Sequence, residues 1–206
     1  MTVTGTNTFK KGLGHAAIIN SGGGLNIQGT GSLTLDKTTT NYGAGIGSDS
    51  GEKFTGDIII SRVTINAVSN SGAAIGSGGL RFGLSGGGSV GNIIIEDATL
   101  NLQSDTGALI GSGEVASAGN IAIINSAITG ETDTGAGVGS GSESSITSAT
   151  VDDISIYNST LNITTGGSAC IGSGYKSSGV NDILVSNSVV TGKSIRSCFH
   201  IEKVIK

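Results

Sequence analysis

One short word, written six times along the chain, limits it to a narrow set of folds. It reads Gly-Ala-x-Ile-Gly-Ser at Gly43–Ser48, Gly72–Ser77 and Gly107–Ser112, and with Val138 for isoleucine at Gly135–Ser140. Ser168 leads another copy at Ser168–Ser173, and Ala16-Ala17-Ile18 is a degenerate one. The alanines Ala16, Ala44, Ala73, Ala108, Ala136 and Ala169 are 28, 29, 35, 28 and 33 residues apart, with a decayed copy at Ser197-Cys198-Phe199. Self-similarity at such a period marks one supersecondary unit stacked on itself. A second word is anchored by Ile58, Ile93, Ile121, Ile154 and Ile183, and the first four each stand 15 residues before the next alanine. The opposite step varies: 12 from Ile46 to Ile58, then 18, 11, 16 and 12. Every change of length therefore falls in one connection, and one corner of the stack carries the variable loops.

Each repeat holds three short runs, for example 73–75, 93–95 and 98–102. The third alternates with period two, Leu100 and Leu102 against Thr99 and Asn101. The same pattern recurs at Val63/Ile65 and Leu161/Ile163. Three strands per turn of about 28 residues predicts an all-β single domain, a right-handed parallel β-helix of about seven coils with three short strands per coil, neighbouring coils pairing at ~4.8 Å. The absence of proline fits a chain whose N–H groups nearly all donate to the next coil. The 37 glycines fall mostly in columns such as Gly47, Gly76, Gly111, Gly139 and Gly172, where a positive φ or close backbone approach is expected. Residues 1–13 read as a lead-in, 14–194 as the repeats and 195–206, where glycine gives way to charge and Phe199, as a C-terminal cap.

The word at Gly43–Ser48 and its copies, with Ile121-Ala122-Ile123-Ile124-Asn125-Ser126-Ala127-Ile128, resembles the glycine-rich β-helix repeats of large surface and secreted proteins of bacteria and protists. The opening stretch Gly22–Leu33 is similar to the entry coil of a carbohydrate-binding β-helix family. The resemblance covers about residues 14 to 200 and implies extracellular or cell-surface display, adhesion or glycan contact.

Charge narrows the partners. The net charge of −4 divides into basic ends and a shaft, residues 12–192, with 5 basic and 14 acidic residues, a balance of −9. A nucleic-acid partner would want a basic face, so none is expected. No run is long and apolar enough for membrane insertion, and Met1–Leu13 lacks the apolar core of a signal peptide, so a secreted setting implies a leader already removed. Cys170 and Cys198 both fill the x place of the word, which predicts neighbouring outward-facing thiols and a candidate disulfide in an oxidising compartment.

Each group of chemistry-bearing residues has a structural role to set beside a functional one. The variable corner holds Phe54, Leu80, Arg81, Phe82, Leu84 and Tyr175, where apolar and aromatic faces beside a cation suit a sugar ring or a protein partner. Folding back as a satellite cluster is the plainer reading of any one of them. Asp57, Asn92, Asn120, Asp153 and Asp182 form one column at a turn, where Asx capping explains them better than a catalytic pair. The Asn-Thr-Asp, Gly-His-Gly and Arg-x-Lys words of pectin-cleaving β-helices are absent, and His15 and His200 fall in opposite terminal coils. The expectation is a non-enzymatic module for adhesion or for glycan or protein binding, with no catalytic residues, cofactor or metal. The alternatives are a polysaccharide lyase or hydrolase, and a structural spacer or self-associating scaffold. The outer face of the second run, Ile59, Ile94, Ala122 and Leu184 interrupted by Ser155, is an apolar column that wants covering, and so a candidate homodimer interface.

Overall fold

The structure is a computed structural model that describes residues 1–10, 15–19, 23–36, 42–53, 56–81, 83, 86–143, 149–177, 179–192, 195–196 and 200–204. Regular structure among them is β-strand throughout, arranged as four parallel sheets that wind into a β-solenoid. The first word supplies the strands of an arch sheet, among them Ile46–Gly47, Ile75–Gly76, Ile110–Gly111 and Val138–Gly139. The second word supplies an isoleucine sheet (Ile58–Ser61, Ile93–Glu96, Ile121–Ile124, Ile154–Tyr157). The third run supplies a threonine sheet (Thr64–Val68, Thr99–Gln103, Ala127–Thr132, Thr160–Thr165). In the stretch read as a lead-in, Thr2–Val3 and Thr6–Lys10 already pair with Leu25–Gly29 and Ser32–Asp36. In the stretch read as a cap, His200–Val204 pairs with Asp182–Ser186.

Two details of the expected coil change. A fourth, bridge sheet of two-residue strands closes the variable connection: Ser89–Val90, Ser117–Ala118, Thr150–Val151 and Gly179–Val180. Two residues are too few to print a period, so the run was invisible in the sequence. With the isolated bridge from Lys53 to Ser89, that side of the coil has five rungs among the described residues. About five turns are therefore complete, not seven, and the outer rungs of the other sheets belong to partial coils.

The register is the one the repeats dictate. Ile58, Ile93, Ile121, Ile154 and Ile183 stack in one column, and Ile65, Leu100, Ile128 and Leu161 in another. Both columns are buried and form the centre of one continuous aliphatic core. A one-residue slip would turn each column out to solvent, so burial fixes the register.

The word itself folds as a tight arch. The N–H of its alanine donates to the carbonyl of its serine in Ala44/Ser48, Ala73/Ser77, Ala108/Ser112 and Ala136/Ser140, at 2.9–3.0 Å. That turn needs the fifth residue at φ between 125° and 141°, which Gly47, Gly76, Gly111, Gly139 and Gly172 supply. The serine then faces inward. Ser48, Ser77, Ser112 and Ser140 are at most 1% exposed, and each Oγ accepts the N–H that follows the serine of the next coil, from Gly78, Gly113, Gly141 and Gly174, at 3.0–3.2 Å. Each of these N–H groups thereby finds an acceptor at a buried corner. Ser112→Ala leaves the buried Gly141 N–H without its acceptor. We expect a loss of about 1–3 kcal/mol in a urea titration, and a loss below that range would show that water reaches the corner.

The same arch corrects the expectation for the x position. Alternation holds only for extended strands, and in the arch successive side chains point inward. Ala74, Leu109 and Cys170 are all buried, Cys170 to 1%, and all three join the core. Cys170 thus does not face outward, and Cys198 lies outside the described residues.

Inward x residues meet the inward end of the threonine strand of the same coil, and in the middle coils the two sizes compensate. Leu109 lies over Gly130, where an added Cβ would stand 2.5 Å from the Leu109 Cδ1. Ile163 lies over Gly137, with its Cγ2 2.5 Å from the place a Cβ would take. Cys170 lies against Gly192, and Gly45 sits with Ala67. Ala74 occupies the corresponding place opposite Leu102. From Ala74/Leu102 through Leu109/Gly130 to Gly137/Ile163 large and small exchange sides from coil to coil, whereas Gly45 and Ala67 are small on both sides.

Candidate functional site: the variable corner and the outer faces

The connection between arch and isoleucine sheets is the one part of the coil that the repeat does not standardise. Tyr175 projects from it 52% exposed, with the Lys176 ammonium 5.3 Å from its ring centre. Two backbone bonds hold that loop against its neighbours: the Tyr175 N–H donates to the Thr134 carbonyl, and the Glu143 N–H to the Tyr175 carbonyl. Lys176 has φ 59° and Val115, in a neighbouring connection, φ 55°, so this edge carries backbone conformations that side-chain-bearing residues seldom adopt. Arg81 is exposed and Leu80 half-buried. Phe54, Phe82 and Leu84 lie outside the described residues. Of the six corner residues singled out, the structure therefore places Leu80 and Arg81 in the longest connection and Tyr175 in another.

The carboxylates have a structural task. The Asp57 Oδ1 accepts the Asn92 N–H at 2.8 Å, and Asn92 does the same for Asn120, Asn120 for Asp153 and Asp153 for Asp182, at 3.0–3.2 Å. Each side chain thus accepts the N–H of the next coil's Asx residue, 28–35 residues on, so the column is a ladder between coils and not the local Asx turn that the spacing suggested. Asp105 accepts a hydrogen bond from the Asn70 amide, and the Asp49 carboxylate accepts the Ala16 N–H and pairs with the His15 Nδ1 at 2.8 Å. Among the described residues no three His, Cys, Asp or Glu side chains converge as metal ligands. The Asp57 and Asp153 carboxylates of the column are turned toward the next coil.

Two outer faces carry concavities. On the threonine sheet a groove of about 550 Å³ runs along the stack between two outward columns. Thr34, Asn66, Asn101, Thr129 and Asn162 line one side, and Gln103, Glu131 and Thr164 the other. The Asn101 amide donates to Asn66 and the Asn66 amide to Thr34, so the first wall is a linked polar ladder. On the isoleucine sheet Ile59, Ile94, Ala122, Ser155 and Leu184 stack outward, all half-buried, around a hollow of about 440 Å³ at Ala122 and Ser155.

Sequence reasoning passed over Lys176 and the second groove wall. Reading Gln103, Glu131 and Thr164 as a column was open to it, since the register places them side by side. The approach of Lys176 to the Tyr175 ring depends on a turn with φ 59°, which no local pattern announces. No family model matches the chain, and the searches of curated proteins and of solved structures likewise returned no match.

Proposed function

We propose that the chain is a non-enzymatic recognition module of a surface or secreted protein, and that it contacts glycans through the loops of its variable corner. The observation that carries this reading is the division of labour within each coil. The arch, isoleucine and threonine sheets repeat with matched backbone ladders, while the connection from arch to isoleucine sheet, closed by the short bridge strands, varies from 11 to 18 residues and displays Tyr175 and Arg81 to solvent. An exposed aromatic face beside the Lys176 ammonium is a suitable platform for a sugar ring. The likeness of the arch word to glycine-rich repeats of surface proteins, and of residues 22–33 to a carbohydrate-binding entry coil, supports the same reading. Engagement of the acid column in bonds between coils supports binding over bond cleavage. The amide-lined groove on the threonine sheet favours a second location, in which an extended sugar chain lies along the stack.

A glycan array with the purified chain, run with and without calcium, tests this. Expected is selective binding that Tyr175→Ala weakens by about tenfold, on the order of one buried aromatic contact. Binding that survives Tyr175→Ala and is lost in Asn101→Ala/Asn162→Ala would move the site to the groove. A blank array under both conditions would contradict glycan contact and leave a protein partner or a spacer role.

A further inference from the structure

The serine that ends each arch word leads into a turn, and three of these turns occupy the same place in the repeat: residues 49–52, 113–116 and 174–177. In the first the Glu52 N–H donates to the Asp49 carbonyl at 3.3 Å, and in the third the Ser177 N–H donates to the Gly174 carbonyl at 3.1 Å. The second and third are tied alike to the previous coil. The Glu114 N–H donates to the Ser71 carbonyl and the Tyr175 N–H to the Thr134 carbonyl, each from the residue ahead of an arch word. The third residue of each turn has positive φ: 73° at Gly51, 55° at Val115 and 59° at Lys176. That is glycine's place in a turn. Val115 is buried, so packing offsets its backbone cost, and Glu114 beside it accepts the Thr106 hydroxyl at 3.4 Å. Tyr175 and Lys176 instead expose both side chains, with the ammonium over the ring. A lysine held at positive φ with no core contact to gain marks a conformation kept for what it displays.

Resting on the reading that this corner contacts glycans, we propose that the turn selects a glycan that ends in an acidic sugar, with Lys176 as the selecting group. A sugar ring that stacks on the Tyr175 face takes the place that the ammonium holds. An exposed contact of cation and ring is worth about two- to fivefold in an equilibrium constant, and a neutral sugar binds against that loss. A carboxylate on the sugar takes up the displaced ammonium in a charge-assisted hydrogen bond, which more than restores it. The turn is anchored from both sides, by the Tyr175 N–H on Thr134 and by the Glu143 N–H on the Tyr175 carbonyl, so ring and lysine stem start from fixed places. The acidic sugar is therefore preferred about tenfold, the low end for a hydrogen bond to a charged group because the site is open to water.

The charge around the turn limits the ligand to a single acidic end. Glu143 holds the place of Lys176 one coil back and is half-buried, and the shaft carries a balance of −9. A terminal carboxylate reaches Lys176 and goes no further. A uniformly acidic chain would lay its other charges beside that shaft, at distances inside the screening length of about 8 Å in physiological salt.

Binding of the full chain to matched oligosaccharides tests this. The pairs differ only at the terminal sugar, a uronic acid against its neutral hexose and a sialylated chain against the same chain without it, and a polyuronate is the third probe. Expected is about tenfold tighter binding of the acidic member, a preference that shrinks as salt is raised. Lys176→Gly gives this turn the residue that Gly51 supplies in its own, so the variant keeps the fold. There the acidic member weakens about tenfold and the neutral one gains about two- to fivefold, while Lys176→Arg holds the preference within about threefold. An acid preference that is absent, or that Lys176→Gly leaves unchanged, overturns selection by Lys176; if Tyr175→Ala still lowers binding, the corner stands as the glycan site. Binding that Tyr175→Ala leaves intact, or no binding to any probe, overturns both. A polyuronate that binds more tightly than the single acidic end also overturns the proposal.

Discussion

Replacing Gly76 by alanine is expected to be the most damaging single substitution in the chain. Two independent penalties meet there. The residue has φ 141°, a conformation an alanine side chain resists, and a Cβ would stand 1.8 Å from the Gly111 carbonyl oxygen of the next coil. That oxygen is the acceptor for the Ser77 N–H at 3.1 Å, so the methyl group would displace a rung of the arch sheet. Neighbouring coils repeat the arrangement at Gly47, Gly111 and Gly139, which leaves no slack to share the strain. A cost above about 4 kcal/mol is expected, enough to consume a large part of the stability of an ordinary domain. Gly167→Ala is the control, because nothing lies within 4 Å of its Cβ position and its φ is not positive; a change within about 0.5 kcal/mol is expected there. Urea titrations of the two variants against the parent decide the matter. Equal effects would mean that the arch is not built as described.

The pairing of Leu109 with Gly130 leads to the second large effect. Leu109 is fully buried, and truncation to alanine is expected to cost about 2–5 kcal/mol, as for other core leucines that leave a cavity. Gly130→Leu alone overfills the same space and is expected to cost about 1–3 kcal/mol or more. The two together recreate the arrangement of the preceding coil, where alanine at position 74 faces leucine at position 102. The double variant should therefore be less destabilised than the sum of the single ones, with a coupling of about 1–3 kcal/mol. Recovery stays partial because a Cβ at position 130 also approaches the Leu102 carbonyl oxygen to 2.6 Å. Additive losses would show that these side chains do not share one space.

Much of this architecture was legible because a stacked coil writes each contact as a column. The parallel β-solenoid, the register of Ile58, Ile93 and Ile121 and the glycine column at positive φ all follow from residues that recur at one place in the repeat. The Asx column at Asp57 was legible as a column but was read as turn caps, where it bonds from coil to coil. What stayed hidden was local geometry with no period of its own. The bridge strands span two residues each, so alternation cannot reveal them. The inward turn of Cys170 comes from the arch, where the strand rule does not apply. The complement of Leu109 to Gly130 is legible only when two columns are read against each other. The variable corner shows the limit most clearly: loops such as that of Tyr175 and Lys176 are free of the repeat, so no neighbouring coil predicts their shape.

Removing residues 80–86 is the measurement that bears most directly on the division between frame and loop. The deletion shortens the connection from Ile75 to Ile93 from 18 residues to 11, the length already used between Ile110 and Ile121. Thermal unfolding and glycan binding would be followed on the same preparation. The expected result is a melting temperature within about 4 °C of the parent, since a change of that size corresponds to little more than 1 kcal/mol in a chain of this length, together with altered or lost glycan binding. A shortened chain that no longer folds, or one that binds the same glycans with unchanged affinity, would contradict the account.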